Sequence, residues 1–251
     1  MGKLALLNTL LRRTPVELTP KHSSLFKYFF RYKTKIDLHI TLAELARGLP
    51  YENPTFLQIG ANDGVSFDPI YPLTKELNLV GYCFEPIQEY YSQLKNNYAD
   101  NLNIQPFQFA VGIKNADVLL YKVKSSSLLK YPKWAKGTST LEISNLNSLG
   151  IKLDDVENEE VKMITYSKAL KLCQIDCPNL LIIDTEGHDI AIIRSIDLNV
   201  HRPDIIMFEH FFSERKLRSE DFQEVLDKLF AAGYLACFDN QDILCYRPIT
   251  R

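Results

Sequence analysis

No stretch of ~20 apolar residues occurs in this 251-residue chain, so no segment is long and apolar enough to cross a membrane as a helix. An excess of one charge sign is also missing. The 29 basic and 31 acidic residues leave a formal net charge of -2, which supplies no global field for nucleic acid. Cysteine is scarce and odd in number, at five, and no C-x-x-C pair occurs. Cys173 and Cys177 stand one helical turn apart, and the pattern points to reduced, mostly buried thiols in a cytoplasmic protein. The opening MGKLALLNTLLRRTP lacks the order of a signal peptide, because Arg12 and Arg13 follow its short apolar stretch. Leu6 stands where N-myristoylation needs Ser or Thr. G-x-G-x-x-G is absent as well.

What is present is apolar mass, with 46% hydrophobic and 11% aromatic residues, enough for one large domain with an N-terminal appendage. Residues 1–50 read as helical and modestly basic, with Lys21, Lys27, Arg31, Lys33 and Lys35 interleaved with Phe26, Tyr28, Phe29, Phe30 and Tyr32. Such a mixture can bind nucleic acid, but the reading adopted is an amphipathic helix packed by its aromatic face, without a nucleic-acid partner. A peripheral membrane contact through this helix is the alternative.

From Pro54 onward apolar runs alternate with helical patterns. Strands are expected at 56–60, 79–84, 104–111, 180–184, 204–209, 233–238 and 243–247, and helices near 86–97, 165–174, 188–195 and 219–232. The alternation predicts a mostly parallel sheet covered by helices. Asp239 to Asp242 form a turn-rich tetrapeptide, so the last two strands should make an antiparallel hairpin. The polar stretch 112–162 is expected to be a functional lid or a disordered loop, and its acidic run from Asp154 to Glu160 a solvated face.

Three segments carry the chemistry. FLQIGANDG is a strand running into a turn with Gly60 and Gly64, and LVGYCFEP is a second strand ending in Glu85. In doubly wound folds such a turn lets a ligand approach the backbone, and the acid ending the next strand bonds ribose hydroxyls. That pair predicts an adenosine-containing cofactor. LLIIDTEGHDIAIIRSI then places Asp184, Glu186 and His188 at the carboxyl end of a central strand, and RPDIIMFEH delivers Glu209 and His210 to the same edge. A carboxylate ending a central apolar strand is costly unless something binds there.

Together with FAVG at 109–112, GTSTL at 137–141 and the terminal LCYR, these segments resemble the FkbM family of S-adenosylmethionine-dependent methyltransferases over about residues 54–247. The resemblance implies an α/β fold of the class I methyltransferase kind. That fold is a Rossmann-like sandwich whose seven-stranded, mostly parallel sheet closes in an antiparallel hairpin. It also divides the chain into a methyltransferase domain, 54–251, and an N-terminal helical extension, 1–53. One departure stands out: many relatives carry an acid where this chain has Gln58, and that acid helps hold the cofactor's amino group.

Under this resemblance S-adenosyl-L-methionine would bind Gln58, Gly60, Ala61, Asn62, Asp63, Gly64, Glu85, Pro86, Ala110 and Val111, with Phe109 to Val111 flanking the adenine. The catalytic candidates are Asp184, Glu186, His188, Glu209 and His210. His188 or His210 would take a hydroxyl proton while Asp184 and Glu209 orient substrate and base; in a second mechanism Asp184 and Glu209 hold Mg²⁺. Thr138 and Ser139 offer hydroxyls to a glycan, sugar-like or natural-product acceptor, and Trp134 and Tyr131 would pack the lid or stack on a ring. Two other readings compete: an NAD-dependent oxidoreductase, for which Asn62 stands where a second glycine belongs, and a non-catalytic cofactor-binding fold acting through residues 1–50.

Overall fold

A computed structural model of the chain describes residues 37–210, 220–239 and 241–248. The basic-aromatic segment, and with it the expected amphipathic membrane or partner helix, lies outside the described residues up to residue 36. The strands are β1 (Thr55–Ile59), β2 (Val80–Phe84), β3 (Ile104–Phe107), β4 (Ala110–Gly112), β5 (Ala116–Val123), β6 (Ser139–Thr140), β7 (Val156–Thr165), β8 (Leu180–Ile183), β9 (Ile205–Glu209), β10 (Leu235–Phe238) and β11 (Asp242–Tyr246). The α-helices are α1 (Leu38–Arg47), α2 (Tyr71–Glu76), α3 (Gln88–Asn97), α4 (Ile143–Ser148), α5 (Tyr166–Cys173), α6 (Asp189–Ser195) and α7 (Glu220–Ala231).

Seven strands form the main sheet in the order β10-β11-β9-β8-β1-β2-β3. All its pairs are parallel except those of β11, which runs antiparallel to both β9 and β10. This is the expected class I methyltransferase sheet with its closing hairpin. Its central strands TFLQI, VGYCF, LLII and IIMFE are apolar because a parallel strand in mid-sheet is buried on both faces. On one face Leu57, Ile59, Phe84, Ile206 and Phe208 form a continuous core with Ala169, Leu170, Ile192, Ile193, Val225 and Leu229 from α5, α6 and α7. The α1 helix buries Leu38, Leu42 and Ala46 and packs on β9 and β11.

Three expectations need correction. Residues 104–111 are not one strand: Phe109 N–H bonds back to the Phe107 carbonyl (3.2 Å), and this tight turn sends Ala110–Gly112 out of the main sheet. Residues 112–162 are not a structureless lid either, because β4-β7-β5-β6 form a second, four-stranded sheet. The long β5–β7 pairing buries Leu120, Val123, Val161 and Met163, leaves Asp117, Glu160 and Lys162 exposed, and buries Lys122 beside Glu157 and Glu159. That alternation is weak beside the continuous apolar runs of the main sheet. Nor is the acidic run merely solvated. The buried carboxylate of Asp155 accepts from Ser127 (2.7 Å), Lys130 (2.5 Å) and Tyr131 (2.7 Å), which also fixes Tyr131 as packing.

Candidate functional site

The carboxyl ends of β1, β2, β8 and β9 open into a cavity of about 650 Å³, covered in part by residues 134–141. It is lined by Gln58, Gly60, Ala61, Asn62, Glu85, Pro86, Ala110 and Val111 from the expected cofactor half. Asp184, Glu186, His188, Glu209, Thr138 and Ser139 line the expected acceptor half. Three expected residues do not line it: Asp63, Gly64 and His210.

The floor is set by Gly60. Its φ of +81° is a conformation open to glycine, and a Cβ there would lie 1.8 Å from the Asp184 carbonyl oxygen. Here β1 and β8 pinch together, with Asp184 N–H bonded to the Ile59 carbonyl at 2.9 Å. The turn's own donors are committed. Gly60 and Ala61 N–H both bond the Phe84 carbonyl (2.9 and 3.0 Å), and Asn62 N–H bonds Glu85 Oε2 (2.9 Å). The turn therefore offers a ligand close backbone approach and leaves these three donors out of its recognition.

Glu85 is 3% exposed, and its second oxygen accepts from Ile87 N–H at 2.8 Å. Burial pushes its carboxyl up to about 7 against these two bonds, and each oxygen keeps a further lone pair for a ligand hydroxyl. Asp63 caps its own turn instead, accepting from Val65 N–H, Ser66 N–H and the Ser66 hydroxyl.

The expected acceptor half gathers carboxyl groups, and Lys136, which also lines the cavity, is engaged by Asp63 (3.7 Å) and Gln93 (3.0 Å). Burial, then the charges of Glu186 and Asp189, raise the Asp184 carboxyl well above its usual range. Asp184 is nevertheless exposed at the cavity, and solvent screening moderates that effect. Glu209 is raised by burial and by Glu186, Asp184, Asp189 and Asp242, and its Oε2 has no hydrogen-bond partner. Asp242, its antiparallel neighbour, is pushed up to about 7, chiefly by burial. Glu186 takes φ 53° before Gly187 (φ 112°), which turns its carboxyl to within 3.1 Å of the Thr138 hydroxyl. On the other side of the loop, a Cβ at Gly137 would strike Asn62 Nδ2 at 2.2 Å, so residues 137 and 138 close on the cavity from above. Trp134, 39% exposed, also lines it.

The two histidines separate. His188 lines the cavity with a buried, unpartnered Nε2, and burial holds it below the ordinary imidazole range. His210 is buried and does not line the cavity, with Nε2 3.2 Å from the Asp239 carbonyl oxygen and Nδ1 without a hydrogen-bond partner. Asp189 was quoted in the motif without a role. It ties the two strand ends together, accepting from the Thr185 hydroxyl (2.6 Å) and Glu209 N–H (3.2 Å). In sequence Asp242 reads only as part of a turn, and Asp68 carries no local signal of a site.

Raised carboxyls bind protons more tightly in the folded state than in the unfolded chain. Their contribution is full below the unfolded carboxylate range and is lost as pH rises through the folded values. Glu85 and Asp242 (about 7) and Asp189 (about 6) set that window between about pH 5 and 8, and Glu209 extends it upward. Denaturant melts at pH 6 and pH 8 are expected to show the ligand-free chain less stable at the higher pH by on the order of 2 kcal/mol. Glu209→Gln should flatten the slope, and equal stability at both pH values would contradict the description of a protonated cluster.

Among the described residues, no group of three or more His, Cys, Asp or Glu side chains is placed to hold a metal ion. No described helix is long and apolar enough to cross a membrane. The residues present do fit S-adenosylmethionine: a glycine floor that a Cβ would fill, a buried acid at the end of β2, and Ala110 and Val111 as apolar wall of the same cavity.

Residues 58–236 match the family model described as the methyltransferase FkbM domain. Among solved structures, the chain is similar to a methyltransferase FkbM from Methylobacillus flagellatus KT at 14% identity and TM-score 0.49, covering 79% of this chain and 45% of that one. The chain thus spans under half the length of that protein. It is also similar to a putative caffeoyl-CoA O-methyltransferase from Staphylococcus aureus, at 9% identity and TM-score 0.46 over 99% of this chain and 93% of that one. Aeropyrum pernix fibrillarin with natively bound S-adenosyl-L-methionine shares 11% identity, with TM-score 0.40 over 82% and 74% of the two chains. No curated protein matches the chain.

Proposed function

Because this chain belongs to the FkbM methyltransferase family, we propose that it transfers a methyl group from S-adenosylmethionine to a hydroxyl of a glycan or similar polyhydroxylated acceptor. When bound, the cofactor supplies a methyl group on a sulfonium, open to in-line displacement. The chain must bring the acceptor oxygen behind that carbon and remove its proton.

The observation that carries this reading is the unpartnered Nε2 of His188 in a cavity wall of carboxyl groups held toward their neutral form. A neutral imidazole accepts the hydroxyl proton at Nε2, and neutral carboxyls both donate to and accept from sugar hydroxyls. Glu209, Asp242 and Asp184 therefore orient the acceptor, with Thr138 and Ser139 above them and Trp134 at the rim for stacking. Glu85 binds the ribose hydroxyls.

Calorimetric titration with S-adenosylhomocysteine tests the cofactor half. Binding is expected in the wild-type chain and at least about tenfold weaker in Glu85→Ala, since charge-assisted bonds are worth ~1.5–3 kcal/mol each. Binding of NAD in its place would overturn the reading. Transfer of labelled methyl groups to hydroxylated glycans should yield a base-stable ether. Label found in amines or in base-labile esters would overturn transfer to a hydroxyl while leaving the cofactor site intact.

A further inference from the structure

The charge missing at Gln58 has a replacement nearby. Gln58 lies in β1, buried, with Oε1 turned toward Cys83 Sγ (3.9 Å) and its amide N–H donated to Asp68 Oδ2 at 3.2 Å. Asp68 is ten residues further along the chain, and both side chains line the cavity. Asp68 Oδ1 is occupied by Ile70 N–H (2.7 Å) and Tyr71 N–H (3.1 Å). Oδ2 has only the Gln58 bond, which leaves it an open lone pair. No ion pair to Asp68 is formed among the described residues.

The other acid of this loop cannot serve. Asp63 lies off the cavity, bonds its own turn and has Lys136 at 3.7 Å. The loop is also held in a costly conformation: Phe67, immediately before Asp68, takes φ 59°, which a bulky residue rarely adopts. The three hydrogen bonds of Asp68 are what hold the chain past that residue.

The amino-acid end of S-adenosylmethionine carries an ammonium group, and taking it out of water is unfavourable without a counter-charge. We propose that Asp68, oriented by Gln58, is the carboxylate that binds this ammonium. The negative charge that the family resemblance implies in the first strand is supplied here by the following loop, and the glutamine is its positioning residue. The inference rests on the cofactor reading above.

The test compares S-adenosylhomocysteine with 5′-methylthioadenosine, which shares the adenosine thioether but lacks the amino-acid portion. Asp68→Asn keeps the Oδ1 acceptor for Ile70 and Tyr71, removes the charge and puts an amide donor where Oδ2 accepts from Gln58, whose own amide can turn to present Oε1. It is expected to weaken S-adenosylhomocysteine about tenfold or more while changing methylthioadenosine by less than about twofold. Adding Gln58→Glu to Asp68→Asn returns a carboxylate to the strand and should recover most of the lost affinity. Unchanged S-adenosylhomocysteine binding in Asp68→Asn overturns the proposal, as does equal weakening of both ligands. Retained methylthioadenosine binding shows that the variant is folded. A wild-type chain that binds neither ligand would overturn the cofactor reading itself, and this assignment with it.

Discussion

Gly60→Ala is expected to abolish S-adenosylhomocysteine binding and to destabilise the chain by roughly 3 kcal/mol or more. Two costs combine. An L-residue at φ +81° pays about 1–2 kcal/mol, since its Cβ crowds the neighbouring carbonyl. The larger cost is the 1.8 Å approach of that Cβ to the Asp184 carbonyl oxygen, which no rotamer relieves because both atoms belong to backbone geometry. The ends of β1 and β8 must part, breaking the bond from Asp184 N–H to the Ile59 carbonyl and moving Asp184 itself. Gly64→Ala makes the contrast. Its Cβ would meet Leu94 Cδ1 (2.5 Å) and Tyr98 Cε2 (2.6 Å), both side-chain atoms, and Gly64 does not line the cavity. It should lose stability yet retain binding. Denaturant melts and calorimetry on the two variants decide the matter, and a wild-type Kd in Gly60→Ala would mean that the cofactor does not rest on this turn.

His188→Gln is expected to lower turnover by about 10²–10³-fold while leaving S-adenosylhomocysteine affinity within about twofold, because a general base contributes that much to the rate and little to cofactor binding. Burial depresses the pKa of His188, so the imidazole is neutral and able to accept a proton near pH 7. In the wild-type enzyme kcat/KM should hold steady near neutrality and fall as pH drops through that depressed value. Glutamine cannot titrate and should remove this limb. His210→Gln gives the opposite pattern: it disturbs the contact with the Asp239 carbonyl and hence stability, and it should preserve the acid limb. A limb that survives His188→Gln would hand the base role to one of the carboxyl groups.

The cavity places unlike groups at its two ends, and this arrangement explains why the site is hard to read residue by residue. Glycine turns and strand-end acids repeat at local spacings, so Gly60, Glu85 and Asp184 could be placed from the segments that contain them. The pairing of Gln58 with Asp68 depends on a loop whose turn at Phe67 no propensity announces. Asp242 looks like a turn residue until β11 sets it directly across from Glu209. His188 stands five residues past Ile183 and His210 two past Phe208, and neither context states which residue reaches the cavity. Only the way the main chain leaves β8 and β9 turns one ring into the cavity and the other against the β10–β11 hairpin.

The sequence by itself determined the parallel core, the seven-stranded order of elements and the family, because buried central strands must be continuous apolar runs and the motif turns are local. It also carried the adenosine-site logic of the first two strands. Tertiary structure alone decided three things: that residues 110–165 build a second sheet, that the acids of β8, β9 and β11 converge into one cluster, and that a neutral glutamine leans on an aspartate ten residues away. Each depends on contacts between segments distant in the chain or on a strained turn. Half-buried alternating strands and surface-like acids carry no local mark of the partners they will meet.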